Sequence, residues 1–190
     1  TSDLTNLAGA GVAFMLVMAV NRGLREANYF EGKQEPDLRQ LLDLVAVASV
    51  CDMVPLTGIN RILVDRGLKV MGQRSNMGLT ALADVSGLDT KPGTYHAGFM
   101  VGPRINAGGR IGACDLGANL LLTQVPEEAR SMAAHLNALN EERKEIEQQV
   151  LTQALDKADE IMKQNPASLV VAGEGWHPGV IGIVAARIKE

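Results

Sequence analysis

The feature that most constrains the fold of this chain is a long helical pattern towards its carboxyl end. Pro126, Glu127 and Glu128 are typical of a helix start, because proline suits the first helical position and acidic side chains favour the first turn. From there to about Gln164, apolar residues recur every three or four positions without an intervening glycine or proline. At 1.5 Å per residue, about 38 residues make a rod of roughly 57 Å, longer than a small domain is wide. The pattern therefore predicts one continuous helix that connects two bodies or forms a coiled coil.

The middle of this predicted helix loses its apolar stripe between residues 140 and 145. The acidic side chains in this region are Glu141, Glu142, Glu145 and Glu147. Such a run is typical of a helix face in contact with water, so we expect this part of the helix to be solvated.

The segments on either side of the rod predict an α/β protein. Helical spacing occurs before the rod in residues 7–26, 37–51, 60–72, 78–85 and 115–122. After the rod, residues 168–172 form a short apolar run that is typical of a buried strand, and residues 180–188 return to helical spacing. A strand, a glycine-rich loop and a helix in that order are typical of an α/β unit.

Composition limits the kind of core that the chain can build. Hydrophobic residues make up 46% of the 190 residues, but aromatic residues only 3%, so small and aliphatic side chains must do the packing. The formal net charge is −4, whereas proteins that coat nucleic acid without specificity are usually basic. A local basic groove remains compatible with this value, because net charge does not describe the distribution of charge.

Cysteine usage and hydropathy indicate where such a chain works. Cys51 and Cys114 lie far apart and form no CxxC pattern, so we expect no disulfide framework and a reducing cytoplasm. The apolar run at residues 8–20 is shorter than the roughly 18 residues that a membrane span requires, so we expect no membrane partner. The chain begins with Thr1 and ends in a helix-like run, so we expect both ends to be internal to a longer protein.

Asp52 is the first candidate site residue. It stands where an apolar helical run stops, three residues before Pro55, which cannot continue a helix. A carboxylate at the solvent edge of a core can hold a cation. The alternative interpretation is a turn residue at the end of a helix.

The second candidate site is the stretch at residues 102–112 (GPRINAGGRIG). Four glycines and one proline in eleven residues predict an irregular loop. Arg104 and Arg110, together with Asn106, could present guanidinium groups and backbone N–H groups to an anion such as phosphate. Two alternatives remain, a surface loop with solvated arginines, or an arginine that clamps the loop by pairing with a carboxylate such as Asp115.

The third candidate site is the loop at residues 173–179, which leads into the last predicted helix. Free backbone amides at a helix N-terminus, here at Gly179, can bind an anion. His177 could add a hydrogen bond to that anion; the alternative is a structural histidine, which is the commoner role of a single histidine, although the neighbours of His177 are glycines rather than apolar core residues.

Four stretches of the sequence together resemble one known family. They are residues 7–14 (LAGAGVAF), 51–56 (CDMVPL), 102–110 (GPRINAGGR) and 175–185 (GWHPGVIGIVA). In this order they resemble the RecJ branch of the DHH phosphoesterase superfamily, over essentially all 190 residues. The resemblance implies two α/β domains joined by a long helix. Residues 1–125 would be the carboxyl part of a DHH domain, residues 126–165 the connecting helix, and residues 166–190 the beginning of a DHHA1 domain.

The resemblance also implies an activity, which is hydrolysis of single-stranded DNA from its 5′ end with Mn²⁺ or Mg²⁺, in DNA repair and recombination. Asp52 matches one of the family's metal ligands. Arg104, Asn106, Arg110, His177 and Gly179 match positions expected to hold DNA phosphates. The family's Asp-x-Asp and Asp-His-His motifs are not found in this chain, so we expect the chain by itself to be inactive. The alternatives are another member of the superfamily, such as a nanoRNase or a cyclic-dinucleotide phosphodiesterase, or a non-catalytic nucleic-acid-binding module.

Overall fold

The computed structural model describes residues 4–164 and 167–189, and these residues form helices joined by short connections. The α-helices are α1 (Gly9–Glu26), α2 (Leu42–Cys51), α3 (Gly58–Met71), α4 (Met77–Val85), α5 (Gly102–Ile111), α6 (Leu116–Leu122), α7 (Pro126–Met162) and α8 (Pro178–Lys189). A 3-10 turn, Leu38–Leu41, precedes α2, and a π-helical turn, His96–Val101, runs directly into α5.

The expectation of an α/β fold, with an α/β unit beginning at residue 166, is wrong for the part of the chain that the structure describes. No strand occurs in residues 4–164 or 167–189. The apolar run at 168–172 was the predicted strand, but a strand requires a neighbour to satisfy its backbone groups, and the described residues offer none. Val170 is 79% exposed, and the carbonyl oxygen of Ala172 accepts a hydrogen bond of 2.6 Å from Lys157 Nζ on α7.

The main core lies between α2, α4, the π-helical turn, α5, α6 and the first half of α7. Its buried members are aliphatic or small, apart from Met71, as the low aromatic content leads one to expect. Glycine permits the closest approaches. A Cβ atom at Gly67 would overlap the carbonyl oxygen of Leu42, and one at Gly78 would overlap that of Leu120.

The predicted rod is confirmed as α7, a single helix of 37 residues that is about 55 Å long. Its first half is buried in the main core through Ala129, Ala133 and Leu136. Its second half packs Val150 and Ala154 against α8. The helix therefore joins two packed regions, as expected if it connects two bodies rather than forming a coiled coil.

The expectation of a solvated middle of this helix is only partly right. Glu141, Glu142 and Glu145 are exposed, but Asn140 and Glu147 are 1% and 2% exposed. Glu147 is buried because one carboxylate oxygen pairs with Arg143 of the same helix, while the other lies 2.7 Å from Nη2 of Arg187 on α8. The spacing of residues along one helix does not show which side chains meet a partner on another helix. A glutamate in a buried ion pair therefore looks the same in the sequence as a glutamate in contact with water.

The prediction of an irregular loop at residues 102–112 is also wrong, because this stretch forms α5 and ends only at Gly112. Pro103 lies in the first turn of α5, directly after the π-helical turn, so its missing N–H group falls where the helical hydrogen-bond pattern changes. Two of the glycines are required by close packing. A side chain at Gly102 would overlap Sγ of Cys51, and one at Gly108 would crowd the carbonyl oxygen of Ala113.

Among the described helices, none is both long enough and apolar enough to cross a membrane.

Candidate functional site

Asp52 lies at the carboxyl end of α2, and its side chain is exposed. The preceding residue, Cys51, anchors this end of the helix. Its Sγ lies 3.7 Å from the carbonyl oxygen of Ala97 in the π-helical turn, and it packs against Gly102 at the start of α5. Burial raises the pKa of the Cys51 thiol, and the neighbouring Asp52 raises it further, so the thiol stays protonated and is a poor nucleophile. Of the two adjacent residues, Asp52 is therefore the one suited to bind a cation.

The described residues do not contain a complete metal site. Within residues 4–164 and 167–189, no group of three or more histidine, cysteine, aspartate or glutamate side chains lies close enough to hold an ion. An exposed carboxylate such as that of Asp52 is a suitable ligand for Mg²⁺ or Mn²⁺. These ions take about six ligands, so Asp52 can contribute to such a site but cannot form one alone.

Arg104 is half-buried on α5, and two of its nitrogens are oriented by the protein. Nε donates a hydrogen bond of 2.8 Å to Oδ1 of Asn137 on α7, and Nη1 donates one of 2.6 Å to the carbonyl oxygen of Met100. Burial lowers the pKa of the Arg104 guanidinium, and the nearby Glu141 opposes that shift. The group remains a cation, because the ordinary pKa of arginine lies far above neutrality.

Arg110 lies at the other end of α5, where it meets the start of α8. Its Nη1 donates a hydrogen bond of 3.0 Å to the carbonyl oxygen of Gly179. Asp115 accepts a hydrogen bond of 3.1 Å from the side-chain amide of Asn119, so the structure gives no support to the alternative of a clamp between Arg110 and Asp115. A Cβ atom at Gly179 would overlap the carbonyl oxygen of Arg110, so the two backbones touch only because residue 179 is glycine.

His177 is half-buried just before α8 and caps that helix. Its Nδ1 accepts a hydrogen bond of 3.1 Å from the backbone N–H of Gly179. One of the amides expected to bind an anion is therefore already used. The structure nevertheless brings His177 and Gly179 beside Arg110, although they are far apart in sequence.

Helix α5 connects these groups. It begins at Gly102 against Cys51, the neighbour of Asp52, and ends beside Gly179. Arg110 stands eight positions after Gly102, which corresponds to about 12 Å along the helix axis. Arg104 lies near the first end of α5, Arg110 lies near the second, and Asn106 is exposed between them. Arg104, Asn106 and Arg110 thus lie on one helix rather than in one loop.

Asn137, which anchors Arg104, was missed in the sequence. The charged cluster of Arg143, Glu147 and Arg187 was missed as well. The sequence does contain a sign of these contacts, because Asn137 and Asn140 are poor helix formers and yet lie in the interior of a long helix. Such residues in a helix interior often have a tertiary partner.

Comparison with known proteins gives a consistent result, although no family model matches the chain. The chain is 42% identical over 191 residues to the single-stranded-DNA-specific exonuclease RecJ of Dickeya dadantii and 41% identical over 192 residues to that of Escherichia coli. Each match covers 97% of this chain but 33% of the relative, so the chain spans about a third of the length of these curated relatives.

Solved structures agree with the sequence matches. A crystal structure of exonuclease RecJ bound to manganese matches 99% of this chain and 45% of that chain, with a TM-score of 0.84 and 36% identity. A crystal structure of RecJ in complex with Mn²⁺ from Thermus thermophilus matches 99% of this chain and 27% of that chain, with a TM-score of 0.83 and 37% identity. A further RecJ structure from that organism contains Mg²⁺.

Proposed function

Because the chain belongs to the RecJ family, we propose that it is part of a metal-dependent exonuclease specific for single-stranded DNA. The complete protein would hydrolyse phosphodiester bonds from the 5′ end, in DNA repair and recombination in the cytoplasm. Mn²⁺ or Mg²⁺ would be its cofactor, as those ions accompany RecJ in the similar crystal structures.

The observation that carries this proposal is the course of α5. The helix begins beside the neighbour of an exposed carboxylate and ends beside a histidine-capped helix start, with an arginine near each end. A nucleic-acid backbone carries regularly spaced negative charges, and guanidinium groups are suited to bind phosphate. A strand that runs along α5 would therefore meet cationic donors on its way to Asp52.

The proposed roles follow from the position of each group. Asp52 would be one metal ligand, and the remaining ligands would lie in parts of the protein outside this chain. Arg104 and Arg110 would bind backbone phosphates, with Asn106 as a hydrogen-bonding neighbour. His177 would contribute from the start of α8, and Gly179, whose N–H group is taken by His177, would contribute by letting α8 approach Arg110. The chemistry that divalent cations supply in such enzymes is activation of water and neutralisation of charge on the scissile phosphate.

The test is nucleotide release by the complete protein. Single-stranded DNA labelled at its 5′ end should lose labelled mononucleotides with Mn²⁺, and chelation of the metal should stop the reaction. Duplex DNA of the same sequence is the matched control and should be degraded much more slowly. Release of label from the duplex at an equal rate would contradict the proposed specificity.

For the chain by itself, a binding module is the alternative function, and the single candidate metal ligand favours it. A small-substrate phosphodiesterase is the other alternative for the complete protein. It would be indicated if dinucleotides or cyclic dinucleotides were hydrolysed faster than a long single strand in the same assay.

A further inference from the structure

A pair of aromatic rings is exposed on the helical stretch that leads into α5. Tyr95 and Phe99 are 64% and 72% exposed, and their rings stack with centroids 5.2 Å apart and planes 25° from parallel. Aromatic residues make up only 3% of this chain, yet two of them form this stack on the surface. Rings exposed to this extent contribute little to the core, so the pair is a candidate contact surface.

The rings are held in place before any ligand arrives. Residues four apart lie on the same side of a helix, which brings Phe99 over Tyr95. The ring of His96 meets that of Tyr95 edge to face at 5.8 Å, and Nδ1 of His96 accepts a hydrogen bond of 2.9 Å from the backbone N–H of Gly93. A surface that is ordered in advance loses less entropy on binding.

The turn that carries the pair packs against the end of α2, which Asp52 follows. Between the two rings, Ala97 and Gly98 face the end of α2. The carbonyl oxygen of Ala97 is the partner of Cys51 Sγ, and a Cβ atom at Gly98 would lie 3.2 Å from Val50. The rings therefore occupy the outer side of the same turn, within about one helix diameter, roughly 10–12 Å, of the end of α2.

A cation lies on the next turn of the same helix. Nη1 of Arg104 donates to the carbonyl oxygen of Met100, the residue after Phe99, so its guanidinium group is drawn back towards the turn that carries the pair. Proteins that bind single strands without sequence preference combine aromatic side chains, on which bases stack, with basic groups that follow the backbone. Stacking is available only where bases are unpaired, so this combination suits a single strand better than a duplex.

We propose that Tyr95 and Phe99 form a base-stacking platform for single-stranded DNA beside Arg104. This inference rests on the proposed function and adds a contact to the bases, where Arg104 and Arg110 were assigned to phosphates. Every base offers a π-face, so the platform accepts all four bases.

The test compares two oligonucleotides bound by the complete protein without divalent cation, so that neither is cleaved. One carries bases, and the other has the same length and charge but is abasic. Phe99→Ala is expected to weaken binding of the first roughly fivefold or more and to leave binding of the second unchanged. Phe99→Trp should restore binding, and the slope of log affinity against log salt should not change, because no charge is lost. Tyr29→Ala, at an exposed aromatic residue before the core helices, is the matched control and should have no effect.

Two results would overturn the platform. One is an equal loss of affinity for both oligonucleotides, and the other is no loss for the oligonucleotide that carries bases. Another part of the complete protein could instead cover the rings. In that case Phe99→Ala would lower the melting temperature and change the affinity for both oligonucleotides equally. That result would also overturn the proposal. Failure of the proposed function is distinguishable, because the unsubstituted protein would then bind neither oligonucleotide.

Discussion

Single side chains in this protein are held by neighbours that are distant in sequence. Arg104 illustrates this, because Asn137 lies 33 residues away on a different helix and accepts its Nε–H group. The bond orients the guanidinium group without neutralising it, since an amide oxygen carries no charge. Charge and orientation can therefore be changed separately, by substitution of Arg104 or of Asn137.

Arg104→Ala in the complete protein is expected to weaken binding of all single-stranded sequences alike, because phosphate carries no base identity. It should also reduce the slope of log affinity against log salt by about 0.7. Arg104→Lys should restore the slope but only part of the affinity, since a point charge replaces a fork. Asn137→Ala should weaken binding with no change in slope. A salt titration of each variant measures both quantities, and an unchanged slope for Arg104→Ala would remove Arg104 from the DNA interface.

Asp52→Ala in the complete protein is expected to reduce the rate of nucleotide release on the order of 100-fold or more, because a metal ligand stabilises the transition state. Stability should change by less than about 0.5 kcal/mol, since the side chain is exposed. Steady-state kinetics and a melting curve measure the two effects. Asp89→Ala, at another exposed aspartate, is the control. A variant that unfolds but keeps its rate would identify Asp52 as a turn residue.

Asp43 predicts a pH dependence of stability. Burial raises the pKa of its carboxyl group above the ordinary 3.8, and its Oδ2 accepts no hydrogen bond from the residues that the structure describes. The folded chain therefore holds this proton more tightly than the unfolded chain. The stability that this provides is present below about pH 3.8 and is lost as the pH rises through the folded pKa.

Asp43→Asn stays uncharged at every pH. It should raise the free energy of unfolding at pH 7 on the order of 1 kcal/mol, and this gain should shrink towards pH 4. Urea unfolding at the two pH values measures it. An equal effect at both values would show that the charge of Asp43 has no part in it.

At the scale of helices, the sequence predicted those whose apolar residues follow a helical period, including α2, α3, α4, α6, α7 and α8. It failed for α5, because glycine and proline predict irregular structure when they are judged by propensity alone. Gly102 and Gly108 are present in α5 because Cys51 and the backbone at Ala113 approach the helix closely. That requirement comes from tertiary packing and cannot be seen locally. The candidate residues of the site were chosen from motifs and their roles stay predictions, whereas their partners on α7 could not be seen in the sequence.

Gly179→Ala tests the contact between α5 and α8. The new Cβ atom would overlap the carbonyl oxygen of Arg110, and a backbone atom cannot move aside as a flexible side chain can. We expect a loss of about 1–3 kcal/mol in stability and weaker binding of single-stranded DNA. Gly182→Ala on the same helix is the control, because its Cβ atom would meet nothing within 4 Å, and it should be neutral or slightly stabilising. The melting temperatures of both variants measure the effect. An equal change in the two would contradict the close contact between the backbones of Gly179 and Arg110.

At the scale of the whole molecule, α7 carries two packed regions, and the described residues contain one candidate metal ligand. Under the proposed function, this chain would contribute to DNA binding, while most of the metal ligands would lie elsewhere in the complete protein. The purified chain is expected to release no mononucleotides from single-stranded DNA with Mn²⁺, because Asp52 alone cannot hold the ions. Release of labelled nucleotide is the measurement, with the complete protein as the positive control. Activity that persists after repurification and disappears with Asp52→Ala would show that the metal site lies within this chain.

The buried carboxylate of Glu147 has a consequence for how α8 finds its place. The apolar contact between α7 and α8 has little directional preference, so a shift of one helical turn, about 5.4 Å, would still bury much of it. In a shifted register, however, Arg187 no longer reaches Glu147, and one oxygen of this buried carboxylate loses the cation that lies 2.7 Å from it. Shifted pairings should therefore dissociate before the rest of the protein packs around them. In this way the ion pair between Arg187 and Glu147 would favour one register of α8 on α7 during folding.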